Sequence, residues 1–309
     1  MCLDGEESEA SRRERHERSR EAGPILFFFL SGTVLLMVVW AWSWIFPQFL
    51  SIMNPPWWLS VIGFLHHLGW TIFAVLSWFS ATRAPPGWVG EASQHRELWG
   101  LEAAECLALQ EWDSLLEEGV CKSCQHSFKR PPRSHHCSVC KLCVRRFDHH
   151  CPYLNNCIGE DNYRCFVRVL FSLSYCGLWI LGSAVTIMFQ LGWQNWSLHR
   201  DDVVRLATLS IAVSAVMAFA GGFLSWSLFL SWGGITHCEF AILTSSKPKD
   251  PGIAITNTRK QRVQKVLRDI QKIPFAVGLQ NLKGMIGVTD MKGVRGLLFD
   301  FPPLWRASS

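Results

Sequence analysis

Residues 121–157, CKSCQHSFKRPPRSHHCSVCKLCVRRFDHHCPYLNNC, decide how the rest of the chain is read. Seven cysteines fall in this stretch, at 121, 124, 137, 140, 143, 151 and 157, with five histidines at 126, 135, 136, 149 and 150. Cys-x-x-Cys pairs close a small chelate loop, and thiolate with imidazole is the donor set of tetrahedral zinc whose positions are all filled by protein. Two sites, each of three cysteines and one histidine, consume six of the cysteines and leave one thiol without a metal. Cys151 is the best candidate for that thiol, because it follows Asp148, His149 and His150 and alternate side chains of an extended segment share a face. His149 then lies on the side of Cys151, and His150 points the other way, available to zinc.

The run Asp148-His149-His150-Cys151, preceded by PPRSHHCSVC and followed by NNCIG, resembles the DHHC family of protein S-acyltransferases. Carried over residue by residue, the resemblance implies a first zinc site at Cys121, Cys124, His136 and Cys143 and a second at Cys137, Cys140, His150 and Cys157. It implies Cys151 as nucleophile, His149 as general base and Asp148 as the group that orients His149. The zinc ions are then structural, because four protein ligands leave no open position for water. The implied reaction is a ping-pong thioester exchange. Cys151 takes a fatty acyl group, with palmitoyl the expected one, from acyl-CoA and passes it to membrane-proximal cysteines of substrate proteins. Tyr153 stands where the family commonly has tryptophan, and the interval from Cys124 to His136 is longer than the family's.

A chain of 309 residues with 49% hydrophobic content could be one soluble domain, but here the apolar residues are bunched into long runs. That pattern favours an α-helical integral membrane protein, and its 16 tryptophans are far above ordinary usage, as expected where helices meet the bilayer interface. Twelve cysteines could mark a secreted disulfide framework; interleaved with histidine in a basic segment, they read better as zinc in a reducing compartment. The net charge of +5 is modest, and no nucleic-acid partner is expected.

Residues 1–24 are charged, with arginines at 12, 13, 15, 18 and 20 among seven acidic residues, and read as a disordered cytosolic tail. Residues 25–46 are apolar and free of charge, long enough to cross a bilayer at about 20 residues per helix. A turn at Met53-Asn54-Pro55-Pro56 leads to a second span over 58–80, so that 25–80 forms a hairpin whose turn gathers Trp40, Trp42, Trp44, Trp57 and Trp58. His66 and His67 sit inside the second span, and a hydrogen bond to a neighbouring helix is the expected reason. Third and fourth spans are read over 166–189 and 208–232, within a membrane region 166–233, with Arg168 snorkelling to the interface. Ser214, Ala218 and Gly222 recur every four residues on the fourth span and read as a packing stripe. The fold class is therefore four transmembrane helices with a small zinc-binding domain, 121–165, between the second and third.

Between the second span and the zinc domain, the linker 81–120 opens with Ala84-Pro85-Pro86-Gly87, resembling the family's Asp-Pro-Gly motif except at Pro85. It then carries an acidic helical stripe over 94–118, expected to dock on the basic zinc domain. The C-terminal region 234–309 begins with Thr236-His237-Cys238-Glu239, resembling the family's Thr-Thr-x-Glu motif with His237 substituted, and Gly278 with Asn281 resembles its C-terminal motif. Residues 256–273 alternate Val263, Val266, Leu267, Ile270 and Ile273 with six basic residues, a pattern expected to lie on an anionic leaflet.

Lys plus Arg number 5 in the tail, 0 in the hairpin turn, 10 over 81–165, 2 between the last two spans and 12 after 243. The positive-inside rule then places both termini and the zinc domain in the cytosol, as in a multi-pass protein of the Golgi, ER or plasma membrane. Lys129, Arg130, Arg133, Arg145 and Arg146 are candidates for the phosphates of CoA, although the same charges also satisfy that rule. The rival from another class is a zinc-bearing membrane adaptor in which all seven cysteines are structural, and acyl loading of Cys151 separates the two readings.

Overall fold

The computed structural model describes residues 41–89, 119–121, 123, 129–195, 200–245 and 259–286, with Gly32 and Val39 ahead of them. The expected tail 1–24, most of the expected span 25–46 and the acidic helix over 94–118 lie outside these residues. A wide helical turn, Ala41–Ile45, leads into helix α1, Phe46–Met53. Pro47 lacks an N–H to return to the preceding turn, and such a widened turn relieves the clash. Asn54, with φ +40, caps α1 and starts the Pro55-Pro56 corner into α2, Trp57–Arg83.

Helix α2 is inside out by the standards of a soluble protein. Its buried residues are His67, Ser77, Ser80, Ala81 and Thr82, while Trp57, Ile62, Leu65, Ile72 and Phe79 are exposed. Apolar side chains face outward where the solvent is hydrocarbon, and polar ones turn to neighbouring helices. Helices α3, Tyr163–Asn195, and α4, Arg200–Trp232, pack along each other, and α3 also packs on α2. Among the described residues, three helices are long and apolar enough to cross a membrane: α2, α3 over Tyr163–Gln190 and α4 over Asp201–Trp232. His66 Nε2 lies 2.8 Å from Tyr175 Oη of α3, the interhelical bond expected for it. The ring of His67 stacks on Phe46 at 5.6 Å, with Trp42 at 4.7 Å.

Two expectations for these helices are corrected. Ser214, Ala218 and Gly222 face outward, and among the described residues a Cβ on Gly222 would meet nothing; the close approach between α3 and α4 is instead made by Gly177 against Met217. Arg168 does not snorkel but is 2% exposed, with its guanidinium turned back onto Cys165 Sγ at 3.3 Å.

Between α2 and α3 the described residues form three two-stranded antiparallel ladders: β1, Gly119–Val120, with β2, Lys129–Arg130; β3, His135–Cys137, with β4, Leu142–Val144; and β5, His149–Cys151, with β6, Asn156–Ile158. They are too short to bury a core, and cysteines supply much of it: Cys137, Cys140 and Cys157 cluster with Val144. Asn156 and Asn162 fasten this module to the end of α2. Asn156 Nδ2 donates to the carbonyls of Ala81 and Ala84 at 3.0 and 2.9 Å, and Asn162 Nδ2 donates to those of Cys157 and Ala84 at 2.8 and 3.3 Å.

After α4 come α5, His237–Thr244, α6, Arg259–Gln271, and α7, Phe275–Ile286. Helix α6 is amphipathic as expected, and part of its apolar side packs on protein. Val266 and Ile270 are buried against Leu230 and Ile235, which leaves Lys260, Lys265, Arg268 and Lys272 exposed on the far side. Helix α7 crosses close to α4, and Gly278 makes that possible because a Cβ there would overlap the indole of Trp232. Asn281 Nδ2 donates to the carbonyl of Trp232 at 2.9 Å, satisfying one of the acceptors that the end of a helix leaves open.

Candidate active site

The β3–β4 and β5–β6 ladders are built alike, and the strand alternation explains the donor clusters. His136 pairs with Cys143 across β3 and β4, and His150 pairs with Cys157 across β5 and β6. Directly opposed residues put their side chains on one face, so each ladder delivers one imidazole and one thiol together. Cys137, Cys140, His150 and Cys157 bring their donor atoms within 4.8 Å of one another. His150 Nδ1 is 3.4 Å from Cys140 Sγ and 3.6 Å from Cys157 Sγ. A second group, Cys121, His136 and Cys143, is equally tight, and Cys124, expected as its fourth member, lies outside the described residues.

These donors fit zinc by number, softness and spacing. Their proton demands conflict: contacts with Cys140 and Cys157 pull the Cys137 thiol far below its ordinary range, and contacts with Cys137 and Cys140 push Cys157 up. A cation among three thiols and an imidazole resolves that conflict by replacing their protons.

His149 and Cys151 flank His150 in β5 and take the opposite face. Cys151 is buried among Leu154, Ile158, Phe166 and Leu170, outside both donor groups. His149 Nδ1 is 2.7 Å from Asp148 Oδ2, and its side chain also hydrogen-bonds Cys151. With Nδ1 turned to the carboxylate, Nε2 is the nitrogen left for the thiol. Burial pushes the imidazole down, but the hydrogen bonds and charges of Asp148 and Cys151 outweigh it and hold His149 up at about 9. Phe166 and Phe223 meet the His149 ring edge-on at 5.2 and 5.7 Å, closing the site with apolar walls.

Asp148 is itself held from a distance. Its Oδ1 accepts the main-chain N–H of His237 at 2.7 Å, and Thr236 Oγ1 donates to the carbonyl of Phe147 at 3.1 Å. Thr236 is also the N-cap of α5, in a capping box closed by Glu239. Arg133 grips the Glu239 carboxylate through Nε and Nη2, both at 2.6 Å. The position of this motif after the last span was legible in the sequence; its contacts with Asp148 and Arg133 were not, since they join residues about a third of the chain apart.

Three of the residues expected at the CoA phosphates have protein partners. Arg133 is taken up by Glu239, Arg145 lies between Glu160 and Asp161 at 2.8 Å from each, and Arg146 is buried, donating to the carbonyl of Gly234 at 3.2 Å. These three guanidiniums tie elements of the fold together. Lys129 and Arg130 form β2, with side chains outside the described part.

A family profile described as DHHC palmitoyltransferase matches residues 115–243. Palmitoyltransferase ZDHHC18 of Homo sapiens is 37% identical over 119 residues, 38% of this chain and 29% of that protein. Palmitoyltransferase ZDHHC8 of Drosophila melanogaster is 35% identical over 142 residues, 46% of this chain and 14% of that one. Palmitoyltransferase ZDHHC5 of Bos taurus is 40% identical over 127 residues, 41% and 15%. The chain thus spans 14% to 29% of the length of these relatives.

Proposed function

We propose, from the DHHC palmitoyltransferase domain at residues 115–243, that this chain is a protein S-acyltransferase that carries a fatty acyl group on Cys151. The observation that carries the reading is the placement of His149, bonded on one side to Asp148 and on the other to a cysteine outside both donor clusters of the described residues.

A histidine held at about 9 is protonated at neutral pH, and the thiolate of Cys151 beside it is the attacking form. The Cys151 sulfur attacks the thioester carbonyl of the acyl-CoA, the bond from that carbonyl to the CoA sulfur breaks, and the departing thiolate takes the proton of His149. The now neutral imidazole removes a proton from the incoming substrate cysteine, whose sulfur attacks acyl-Cys151. Cys151 leaves as thiolate beside a restored imidazolium, so each cycle returns the proton it borrowed. Asp148 keeps Nδ1 engaged throughout, aiming Nε2 at the sulfur.

Zinc in this reading is structural, one ion held by Cys121, Cys124, His136 and Cys143 and the other by Cys137, Cys140, His150 and Cys157. The acyl chain runs from Cys151 among the helices. The zinc module and both termini face the cytosol, in a membrane of the Golgi, ER or cell surface, where palmitoyl-CoA and membrane-proximal substrate cysteines meet. Lys129 and Arg130 remain for the CoA phosphates. A clickable palmitoyl-CoA analogue tests the reading: label on wild-type protein released by hydroxylamine and absent from Cys151→Ala is expected. Equal labelling of Cys151→Ala would overturn it.

A further inference from the structure

The second position of the Thr236-His237-Cys238-Glu239 run is a histidine with a partner of its own. Trp226 Nε1, on α4, donates to His237 Nδ1 at 3.1 Å, while the main-chain N–H of the same histidine donates to Asp148 Oδ1 at 2.7 Å. An imidazole that accepts at Nδ1 carries its proton on Nε2, so the contact selects one tautomer. Trp226 is firmly seated, edge-on to Phe240 at 5.0 Å and stacked on Phe229 at 5.8 Å. Phe223, on the same helix, touches the rings of both His149 and His237, at 5.7 and 6.1 Å.

One residue is thus held twice. The last turns of α4 fix its ring, and the ring, through its Cα, fixes the direction of the N–H that reaches Asp148. We propose that Trp226 and His237 form a clamp that aims this N–H at Asp148, which makes His237 a positioning residue for acyl transfer at Cys151. The proposal rests on the function proposed above. Asp148 is only 4% exposed, so a misdirected N–H would leave Oδ1 without water to replace it, and the carboxylate would turn from His149 to recover a donor.

The test uses the full chain in phosphatidylcholine nanodiscs and follows loading of Cys151 from a palmitoyl-CoA analogue over a range of donor concentrations. Trp226→Phe keeps the ring contacts and removes the N–H; His237→Leu removes the acceptor; His237→Asn places an amide oxygen near the former Nδ1. The maximal loading rate is expected to fall about fivefold in Trp226→Phe and in His237→Leu, in keeping with one hydrogen bond, with the half-saturating donor concentration unchanged. His237→Asn should recover most of the rate, and the double variant should be no slower than His237→Leu alone. Independent effects that multiply in the double variant, or an Asn variant as slow as the Leu variant, would overturn the clamp. So would loss of zinc from Trp226→Phe, which would make the pair an element of the fold. Wild-type protein that never loads Cys151 sinks the acyltransferase reading; wild-type loading with unaffected clamp variants sinks only the clamp.

Discussion

Arg133 and Glu239 stand 106 residues apart in sequence and meet through two contacts of 2.6 Å, Nε to Oε1 and Nη2 to Oε2. The pair joins the zinc module to α5. Glu239 is 0% exposed, and burial alone would push its carboxyl up; Arg133, with Arg146 and the N–H of Thr236, pulls it below the usual carboxylate range. A depressed carboxylate adds stability that is present above its unfolded value and is lost as pH falls through its folded one. Glu239→Gln leaves a buried guanidinium without its counter-charge, and a loss of about 3–5 kcal/mol is expected. Arg133→Met combined with Glu239→Gln should unfold at a higher temperature than Glu239→Gln alone. Thermal denaturation in detergent at neutral pH checks this, and a double variant weaker than either single one would contradict it.

Zinc content should separate the proposed ligands from the proposed nucleophile. Cys137 and His150 belong to one four-donor group, whereas Cys151 belongs to neither. A structural zinc site contributes folding free energy on the order of 10 kcal/mol, so Cys137→Ala and His150→Ala should lose metal and the structure of the ladder module together. Cys151→Ala should keep both and lose only acyl loading. Zinc measured by mass spectrometry on purified protein decides it, and zinc release from Cys151→Ala equal to that from Cys137→Ala would contradict the assignment.

The donor clusters were legible because metal sites write themselves into sequence as residue type and short spacing, and because strand alternation sorts His149, His150 and Cys151 onto two faces. The spans were legible from apolar runs: α2 begins and ends close to the expected 58–80, while α3 continues past 189 to Asn195 and α4 starts at Arg200, well ahead of the expected 208. What was not legible depends on which face meets which. The same alternation in α6 serves a lipid surface or the protein surface formed by Leu230 and Ile235, and spacing does not distinguish them. A stripe such as Ser214, Ala218 and Gly222 reads as a packing seam until Gly177 turns out to make the close approach. Arginines at 133, 145 and 146 suggested an anion site because their carboxylate and carbonyl partners come from other elements.

His149 gives the reaction a pH limit with a definite sign. Burial opposes its charge, but Asp148 and Cys151 raise it from 6.5 to about 9. A group raised on folding contributes stability in full below its unfolded value and loses that contribution as pH climbs through its folded value. The acyl-loading step, which needs the proton of His149 for the CoA sulfur, should therefore decline as pH rises through about 9. In Asp148→Asn one of the two raising partners is gone while burial remains, so the decline should begin at lower pH and the maximal rate should fall. Loading rates measured across pH for both proteins test this; an unmoved limb in Asp148→Asn would show that another group sets it.

Gly278 is where α7 and α4 come closest, and the contact bears on the site through two further links. A Cβ at 278 would overlap the indole of Trp232, and Asn281, one turn on, donates to the carbonyl of Trp232 at 2.9 Å while its side chain lies against Gly234. Gly234, with φ +69, in turn offers its carbonyl to Arg133 and Arg146 at 2.7 and 3.2 Å. Displacing α7 therefore disturbs the turn that leads into Thr236 and His237. Gly278→Ala gains about 1 kcal/mol of intrinsic helix propensity, yet overpacking of this kind costs about 1–3 kcal/mol, so the net effect should be destabilising. Acyl loading of Cys151 should fall with it, although residue 278 touches no reacting group. Trp232→Phe in the Gly278→Ala background opens room on the indole side and should restore part of both losses. Melting temperature and loading rate measured on the two variants check the argument; a Gly278→Ala protein as stable and as active as wild type would show that α7 is free to slide.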